Sequence, residues 1–429
     1  MKIFDYKKYH FLGIGGIGVS AIARMLFLRG KTVTGSDNSQ SEITDDLEKL
    51  GIKVFIGQKA ENLEKDTEVV IYSVAIKEDN PEILEAKKRG LVCLSNPQML
   101  GELSKEMFTI AVSGTHGKTT TTAMIGHILK KAGLDPTVIV GSKILGENTN
   151  FLAGGSKYLV VEACEYKRSF LNLSPSILII TNIEADHLDY YKDLEDIQNA
   201  FKELEQRVPK EGFVVKESDY KKIKTDFTLL APGKHNILNA QAAIKTAEIL
   251  GIPEEKSKEY LSDFKGTWRR LEYKGKKNNN VFYDDYAHHP TEIKASLSAL
   301  CEKYPDREIV CVFEPHQQSR TKLFFNDFVE ALKLADKVFI APIFITRETD
   351  DGITTNKTLS DAINLNTKKD VAFPVKDADE LKILIENIKS PKPLCVVLMG
   401  AGNIYKWTGE IINNKNKVLA MSKKFVKLF

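Results

Sequence analysis

The sequence predicts an α/β protein whose parallel sheets are divided among three units. Short apolar runs of β type alternate with helical stretches over nearly the whole chain, as strands joined by crossover helices do. Three of those runs lead into loops rich in glycine or in titratable side chains. The length, 429 residues, exceeds one ordinary core; a prior of roughly one domain per 150 residues gives about three. The divisions fall near Lys105 and Gly266, giving domains 1–105, 106–266 and 267–429.

The first unit opens with the strand Tyr9–Leu12 and the loop Gly13-Ile-Gly15-Gly16-Ile-Gly18, followed by a helix ending near Gly30. The spacing G-x-G-x-x-G lets backbone approach a pyrophosphate resting on a helix N-terminus. A second strand from Thr32 ends at Asp37, where dinucleotide folds place a ribose-reading acid. NAD satisfies this pattern; a UDP-sugar, with the same diphosphate and ribose, satisfies it equally, and a tight structural turn needs no ligand. Apolar strands near Val69–Val74 and Leu91–Leu94 complete the unit.

The second unit begins with the strand Phe108–Val112, then Ser113-Gly114-Thr115-His116-Gly117-Lys118-Thr119-Thr120 and a helix reaching Gly133. The strict phosphate-loop pattern fails at Val112, which stands at its first glycine, but the working core remains. Gly114 and Gly117 expose N–H groups to phosphate oxygens, Lys118 brings a point charge, and Thr119 offers a hydroxyl to magnesium. Two further strands end at Glu162 and near Thr181, the latter followed by Asn182-Ile-Glu184-Ala-Asp186-His187. Ligands bind off the carboxyl ends of parallel strands, so Glu162 and His187 are candidates to share the sheet edge with Thr119. Magnesium takes one or two carboxylates beside phosphate and water. Glu184 and Asp186 also fit solvated loop acids.

The third unit carries the apolar runs Ile309–Phe313, Lys337–Ala341 and Leu394–Met399. The Lys-rich end, Asn413–Phe429, reads as a solvated terminal helix. A net charge of +3 gives no warrant for a nucleic-acid or membrane-surface partner. No run of eighteen apolar residues occurs and the first ten residues lack a signal-peptide core, so no membrane association is expected. Five scattered cysteines without a CxxC pair fit a reduced, cytoplasmic setting.

Together, Gly-Ile-Gly-Gly-Ile-Gly, Gly-Thr-His-Gly-Lys-Thr-Thr and Thr-Asn-Ile-Glu-Ala-Asp-His resemble the Mur ligase family. Further matching segments are Lys234-His235-Asn236-Ile-Leu-Asn239, Gly266-Thr-Trp-Arg269-Arg270, Asp284-Asp285-Tyr286-Ala-His288-His289-Pro290 and Glu314-Pro-His316-Gln-Gln-Ser-Arg320-Thr321. The last two are similar to the alanine-adding branch, whereas the phosphate loop is shared with folylpolyglutamate synthases. The resemblance spans about Gly13 to Gly402. It implies an N-terminal Rossmann-like UDP-binding domain, a central P-loop ATPase domain and a Rossmann-like C-terminal domain. The activity implied is ATP- and Mg2+-dependent ligation of L-alanine to the carboxylate of UDP-N-acetylmuramate, by a monomer or weak homodimer.

Carried over residue by residue, Gly114 through Thr120 would cradle ATP, with Lys118 on its phosphates and Thr119, Glu162 and His187 binding magnesium. Asn236 and Asn239 would read adenine, Arg270 would touch phosphate, and Asp284 or Asp285 would meet the ribose. Gly13, Gly15, Gly16, Gly18, Asp37 and Ser73 would form the UDP-sugar site; Tyr286, His288 and Arg320 would approach the amino acid. The family's usual basic residue after Pro-His is Gln317 here, its Gly-Ala-Gly-Asp ends in Asn403, and Glu-Ala-Asp-Glu reads Glu162-Ala163-Cys164-Glu165. The stretch Gly212–Gly233 is shorter than its family counterpart, which implies lost peripheral strands.

A carboxylate resists attack by an amine until ATP converts it to an acyl phosphate. Phosphoryl transfer between two anionic groups requires Lys118 and magnesium to neutralise repulsion, and the following tetrahedral oxyanion requires aimed donors. His288 could take a proton from the alanine ammonium while Arg320 grips its carboxylate. The alternatives are a ligase adding a peptide, as in murein recycling, or another amino acid; an NAD-dependent oxidoreductase; and a non-catalytic nucleotide-binding regulator. Hydride transfer needs no clamp on a terminal phosphate, and retention of Lys118, Glu162 and Arg270 argues against a regulator.

Overall fold

In a computed structural model, residues 2–413 are described except Asp189, Arg347 and Asp351. The terminal stretch read as a helix lies, from Asn414 onward, outside the described residues.

The first sheet contains β1 (Lys8–Leu12), β2 (Thr32–Asp37), β3 (Lys53–Ile56), β4 (Val69–Tyr72) and β5 (Val92–Ser95), all parallel, in the order β3-β2-β1-β4-β5. Strand order reverses around β1, which puts the glycine loop leaving β1 at the switch point, where α/β sheets bind ligands. Helix α1 (Ile17–Leu28) follows that loop, and α2 (Glu42–Leu50) starts with a Ser41/Thr44 capping box. Pro81 and Asn80 start α3 (Pro81–Lys88), and a Ser95/Gln98 capping box starts α4 (Asn96–Glu106).

The second sheet contains β6 (Phe108–Ser113), β7 (Thr137–Ile144), β8 (Thr149–Leu152), β9 (Tyr158–Glu162), β10 (Ile177–Ile180) and β11 (Phe213–Val215), ordered β11-β10-β6-β9-β7-β8. Only the β7/β8 hairpin is antiparallel. The central strands β6, β9 and β10 are mostly buried and dominated by apolar residues, as parallel strands are. Helix α5 (Lys118–Lys131) leaves β6 through the phosphate loop. The short stretch Gly212–Gly233 holds β11 and one turn of helix, Glu217–Tyr220.

The chain forms two compact units: residues up to Leu230 with Ile237–Thr267, and Ala231–Asn236 with the residues from Trp268 onward. The first unit carries both sheets above, and one of its apolar clusters, including Phe11, Ile22, Ile139, Phe151 and Leu178, draws on both. Helix α1 lies on the β7/β8 hairpin: Asn150 Nδ2 donates to the Ile17 carbonyl, and Arg24 Nη1 lies 3.5 Å from Thr149 Oγ1.

The second unit is a sheet of β12 (Glu272–Lys277), β13 (Asn280–Asp285), β14 (Glu308–Phe313), β15 (Lys337–Ile340), β16 (Ala372–Pro374) and β17 (Leu394–Met399), ordered β12-β13-β17-β14-β15-β16. It is parallel except at the β12/β13 hairpin. Among the described residues, no helix is long and apolar enough to cross a membrane, and all five cysteines are free.

Candidate active site

The phosphate loop has a backbone only glycine tolerates at two positions. Gly114 (φ 132°) and Gly117 (φ 83°) lie in the left-handed region; a Cβ would stand 2.0 Å from Thr181 Oγ1 at the first and 2.4 Å from Asn239 Oδ1 at the second. The Thr181–Glu184 stretch braces the loop. His116 N donates to Asn182 Oδ1 (2.9 Å), Thr115 N to the Asn182 carbonyl (3.0 Å), and Glu184 N to Thr115 Oγ1 (2.8 Å). Asn239, on the helix Lys234–Ile249, accepts from Thr121 Oγ1 at 3.2 Å and closes the loop from behind. Thr120 Oγ1 lies 3.5 Å from Thr267 Oγ1.

At the start of α5, Thr119 Oγ1 is 3.0 Å from both carboxylate oxygens of Glu162, and Gly141 N donates to Glu162 Oε2 at 2.8 Å. A hydroxyl and a carboxylate side by side are the hard-oxygen donors magnesium takes beside phosphates. His187 pairs instead with Glu165: its Nε2 is 3.2 Å from Glu165 Oε1 and 3.8 Å from Asp186 Oδ2. The same Glu165 holds Lys118, with Nζ at 2.8 Å from Oε2 and 3.1 Å from Oε1. Lys118 also donates to the carbonyls of Gly114 (2.5 Å) and Thr115 (3.0 Å). Burial alone would lower the Lys118 pKa, but Glu165, with Cys164 and Glu162, raises it, so the ammonium is charged. Burial opposes ionisation of Glu165 as well; Lys118 and His187 override it and depress its pKa.

Glu165 leads into a strained turn. Lys167 and Arg168 both take left-handed backbone (φ 52° and 55°), costing about 1–2 kcal/mol each. Arg168 is anchored on the helix Leu194–Glu205 by Asp196 and Glu203, both at 2.6 Å, and Tyr191 Oη donates to the Glu165 carbonyl at 2.5 Å. The Tyr166 ring lies against His187, 4.9 Å between centroids.

The glycine loop after β1 gathers its expected residues at one edge of the first sheet. Gly13 N and Ile14 N donate to the Ser36 carbonyl (2.8 and 3.0 Å), Gly15 N donates to Asp37 Oδ2 (2.8 Å), and Gly16 is the N-cap of α1. A Cβ on Gly13 would stand 3.1 Å from Ser73 Cβ, and one on Gly18 would stand 3.2 Å from Asn96 Nδ2. Asp37 therefore fixes the loop.

In the second unit, Asp284 and Asp285 end β13 and are buried on opposite sides of the strand. Asp284 accepts from Thr408 Oγ1; Asp285 accepts from Ser296 Oγ (2.6 Å) and Ala287 N (2.9 Å). Burial pushes both carboxyls up to about 6. Arg270 sits 5.0 Å from the centre of the Tyr286 ring, and Arg269 4.9 Å from it. Burial, then Arg270, pushes His235 down to about 4, which leaves the imidazole neutral beside Asn236. Asn236 Nδ2 donates to the Pro232 carbonyl at 2.7 Å. His288 Nδ1 lies 3.0 Å from the Tyr286 carbonyl, an acceptor, so in the neutral ring Nε2 is the basic nitrogen. Rings continue from Tyr286 to His288 (5.3 Å), His316 (5.9 Å) and Phe344 (6.0 Å).

Arg320 lies on the helix Gln318–Leu323, which follows Gln317. Gln317 has φ 65°, and both ends of its amide engage Thr346, through Oγ1 at 2.5 Å and N at 3.4 Å. The amide thus pins the segment after β15. Glu314 meets Ile404 N at 3.4 Å and packs against Gly400 and Gly402.

Sequence reasoning missed Glu165, Asn182 and Glu314. Glu165 stood in a quoted motif, yet only the fold shows that it joins Lys118 to His187.

Family models match the chain in three stretches: "Mur ligase family, catalytic domain" over residues 8–107, "Mur ligase middle domain" over 112–227 and "Mur ligase, glutamate ligase domain" over 269–402. The chain is 40% identical over 453 aligned positions to a UDP-N-acetylmuramate–L-alanine ligase of Clostridium botulinum, covering 95% of this chain and 98% of the relative. It is equally identical over 459 positions to one of Caldanaerobacter subterraneus, with 96% and 98% covered. Among solved structures, the UDP-N-acetylmuramate–alanine ligase of Thermotoga maritima superposes with a TM-score of 0.78 at 30% identity, over 95% of this chain and 98% of that one. A murein peptide ligase of Psychrobacter arcticus shares the fold at 24% identity, with a TM-score of 0.68 over 97% and 100%.

Proposed function

This chain belongs to the Mur ligase family, and we propose that it joins L-alanine to the lactoyl carboxylate of UDP-N-acetylmuramate at the expense of ATP, in peptidoglycan precursor synthesis. The observation that carries this reading is the phosphate loop, braced and led by Lys118 and Thr119, in a chain matched over nearly its full length by alanine ligases. We read 1–105 as the UDP-sugar domain, 106–266 as the ATP domain and 267–429 as the domain that brings the amino acid. A cytoplasmic monomer or weak homodimer fits the ATP and UDP-sugar substrates and the five free cysteines.

Gly13, Gly15, Gly16 and Gly18, with Asp37 and Ser73, place the UDP-sugar against the start of α1, where the missing side chains let its diphosphate approach the backbone. Lys118 and the N–H groups at the start of α5, within the loop Gly114 through Thr120, hold the ATP phosphates. Thr119 and Glu162, with His187 close to Lys118 through Glu165, would hold magnesium. Bound there, magnesium supplies charge neutralisation between phosphate and carboxylate. Asn236 and Asn239 serve adenine; Arg270 serves phosphate, and Asp284 or Asp285 the ribose. His288 Nε2 receives the proton of the alanine ammonium, beside Tyr286, and Arg320 holds the alanine carboxylate. The terminal phosphoryl group passes from ATP to the lactoyl carboxylate and ADP leaves; the amine then attacks the acyl carbon, the bond to the phosphate oxygen breaks, and the departing phosphate takes the second amine proton.

The test is phosphate release by the purified chain with ATP, magnesium and UDP-N-acetylmuramate across amino acids and alanine-first peptides. L-alanine should give the highest kcat/KM. Turnover with a peptide and none with alanine would assign the chain to the peptide-adding branch.

A further inference from the structure

Every donor of the Lys118 ammonium has a partner within the protein. Nζ meets the carbonyls of Gly114 (2.5 Å) and Thr115 (3.0 Å) and the carboxylate of Glu165 (2.8 and 3.1 Å). The side chains are 12% and 4% exposed. An ammonium has three N–H bonds, so a phosphate oxygen reaches Lys118 only by displacing one of these contacts. The carbonyls belong to the braced loop; the carboxylate is the partner of like charge to phosphate. We propose that Glu165 is an internal counter-anion that competes with nucleotide phosphates for Lys118, so that nucleotide engages the loop cation efficiently only when magnesium accompanies it. This positioning role rests on the reading of Lys118 as the residue that holds the ATP phosphates.

Two further observations shape the role. Glu165 is held where it is: its carbonyl accepts from Tyr191 Oη, and the left-handed turn at Lys167 and Arg168 is fixed by Asp196 and Glu203. A second partner also waits for the carboxylate, since His187 Nε2 is 3.2 Å from Glu165 Oε1. When Lys118 turns to phosphate, Glu165 keeps a hydrogen-bonding neighbour and stays buried at little cost. Glu162, on Thr119, is a second carboxylate at the loop. Metal-free phosphates therefore meet two anions around one cation already engaged, and a divalent ion reverses that balance.

The experiment is ADP binding by titration calorimetry, with excess EDTA and with excess magnesium, to the full chain and three variants. Glu165→Gln keeps the shape and removes the charge. Metal-free ADP should bind it about tenfold more tightly than the parent, because an opposing charge next to the phosphates is gone. Binding with magnesium should change by less than about threefold, so the magnesium dependence shrinks. Glu165→Asp withdraws the carboxylate by one methylene, and should shift metal-free binding in the same direction by a smaller factor; it decides the matter if the glutamine variant does not fold. A merely structural role would weaken binding in both conditions. Unchanged or weaker metal-free binding in the folded variants overturns the proposal. Lys118→Met separates the two readings: if it leaves ADP binding intact, the assignment of Lys118 to phosphate fails, whereas lost binding there with no gain in Glu165→Gln rejects the counter-anion alone.

Discussion

On the function proposed above, the buried positive charge of Lys118 serves the ATP phosphates. Lys118→Ala should lower kcat/KM for ligation by at least about a thousandfold, since charge aimed at the transition state is the largest single catalytic contribution. UDP-sugar affinity should remain at the parent value, because the glycine loop after β1 is built from other residues. Near-normal turnover would remove the loop from the mechanism. Asp285 gives a pH signature. Its folded pKa is about 6, raised by burial, above the ordinary 3.8. The folded state thus binds the proton more tightly, and this group's contribution is fully favourable below the ordinary pKa and lost as pH rises through 6. Asp285→Asn should therefore raise stability by up to about 3 kcal/mol at pH 8 and by little at pH 3. Thermal melts across that range check it, while ligation should fall. The positions of Lys118 and Thr119 at the head of a helix were legible because a strand and a glycine loop precede them, and that of Glu162 at a strand end because an apolar run leads into it. Glu165 was not, because its partners arrive from α5 and from the loop after β10, and no local pattern marks that meeting.

At the scale of elements, both strand–loop–helix units could be read from periodicity and glycine spacing. The bulge-free parallel pairing of β1, β2 and β4 explains why the loop after β1 opens at the switch point. Gly15→Val should weaken UDP-sugar binding by at least about tenfold, since a Cβ there would stand 2.9 Å from Asp37 Oδ2 and block close backbone approach. ATP affinity, set by a different loop, should change by less than about twofold. Calorimetry with each ligand checks both; tight NAD binding without UDP-sugar binding would favour the oxidoreductase. Sheet order and the antiparallel β7/β8 and β12/β13 hairpins were not legible, because pairing depends on tertiary contacts that alternation of apolar residues leaves open. The packing of α1 on the β7/β8 hairpin was hidden for the same reason: Asn150 and Arg24 look like ordinary surface residues in sequence.

For the whole molecule, selectivity and chemistry depend on more than one loop. Alanine offers a methyl group and two charged ends, and excluding one methylene is worth only about 1–3 kcal/mol. Glycine and serine should therefore be slow substrates at about 10- to 200-fold lower kcat/KM, measured by phosphate release. Gln317 is committed to Thr346, so Arg320 is the expected carboxylate anchor, and Gln317→Arg should disturb the segment after β15 as well as the amino-acid site. The central claim is that the sugar carboxylate is activated by phosphoryl transfer before alanine attacks it. The most direct measurement supplies UDP-N-acetylmuramate carrying heavy oxygen in its lactoyl carboxylate, together with ATP, magnesium and L-alanine, and follows the label by mass spectrometry. One labelled oxygen should appear in the released phosphate for each UDP-N-acetylmuramoyl-L-alanine formed, with ADP in equal amount. Alanine-containing product with unlabelled phosphate, or ATP cleavage with no such product, would contradict it.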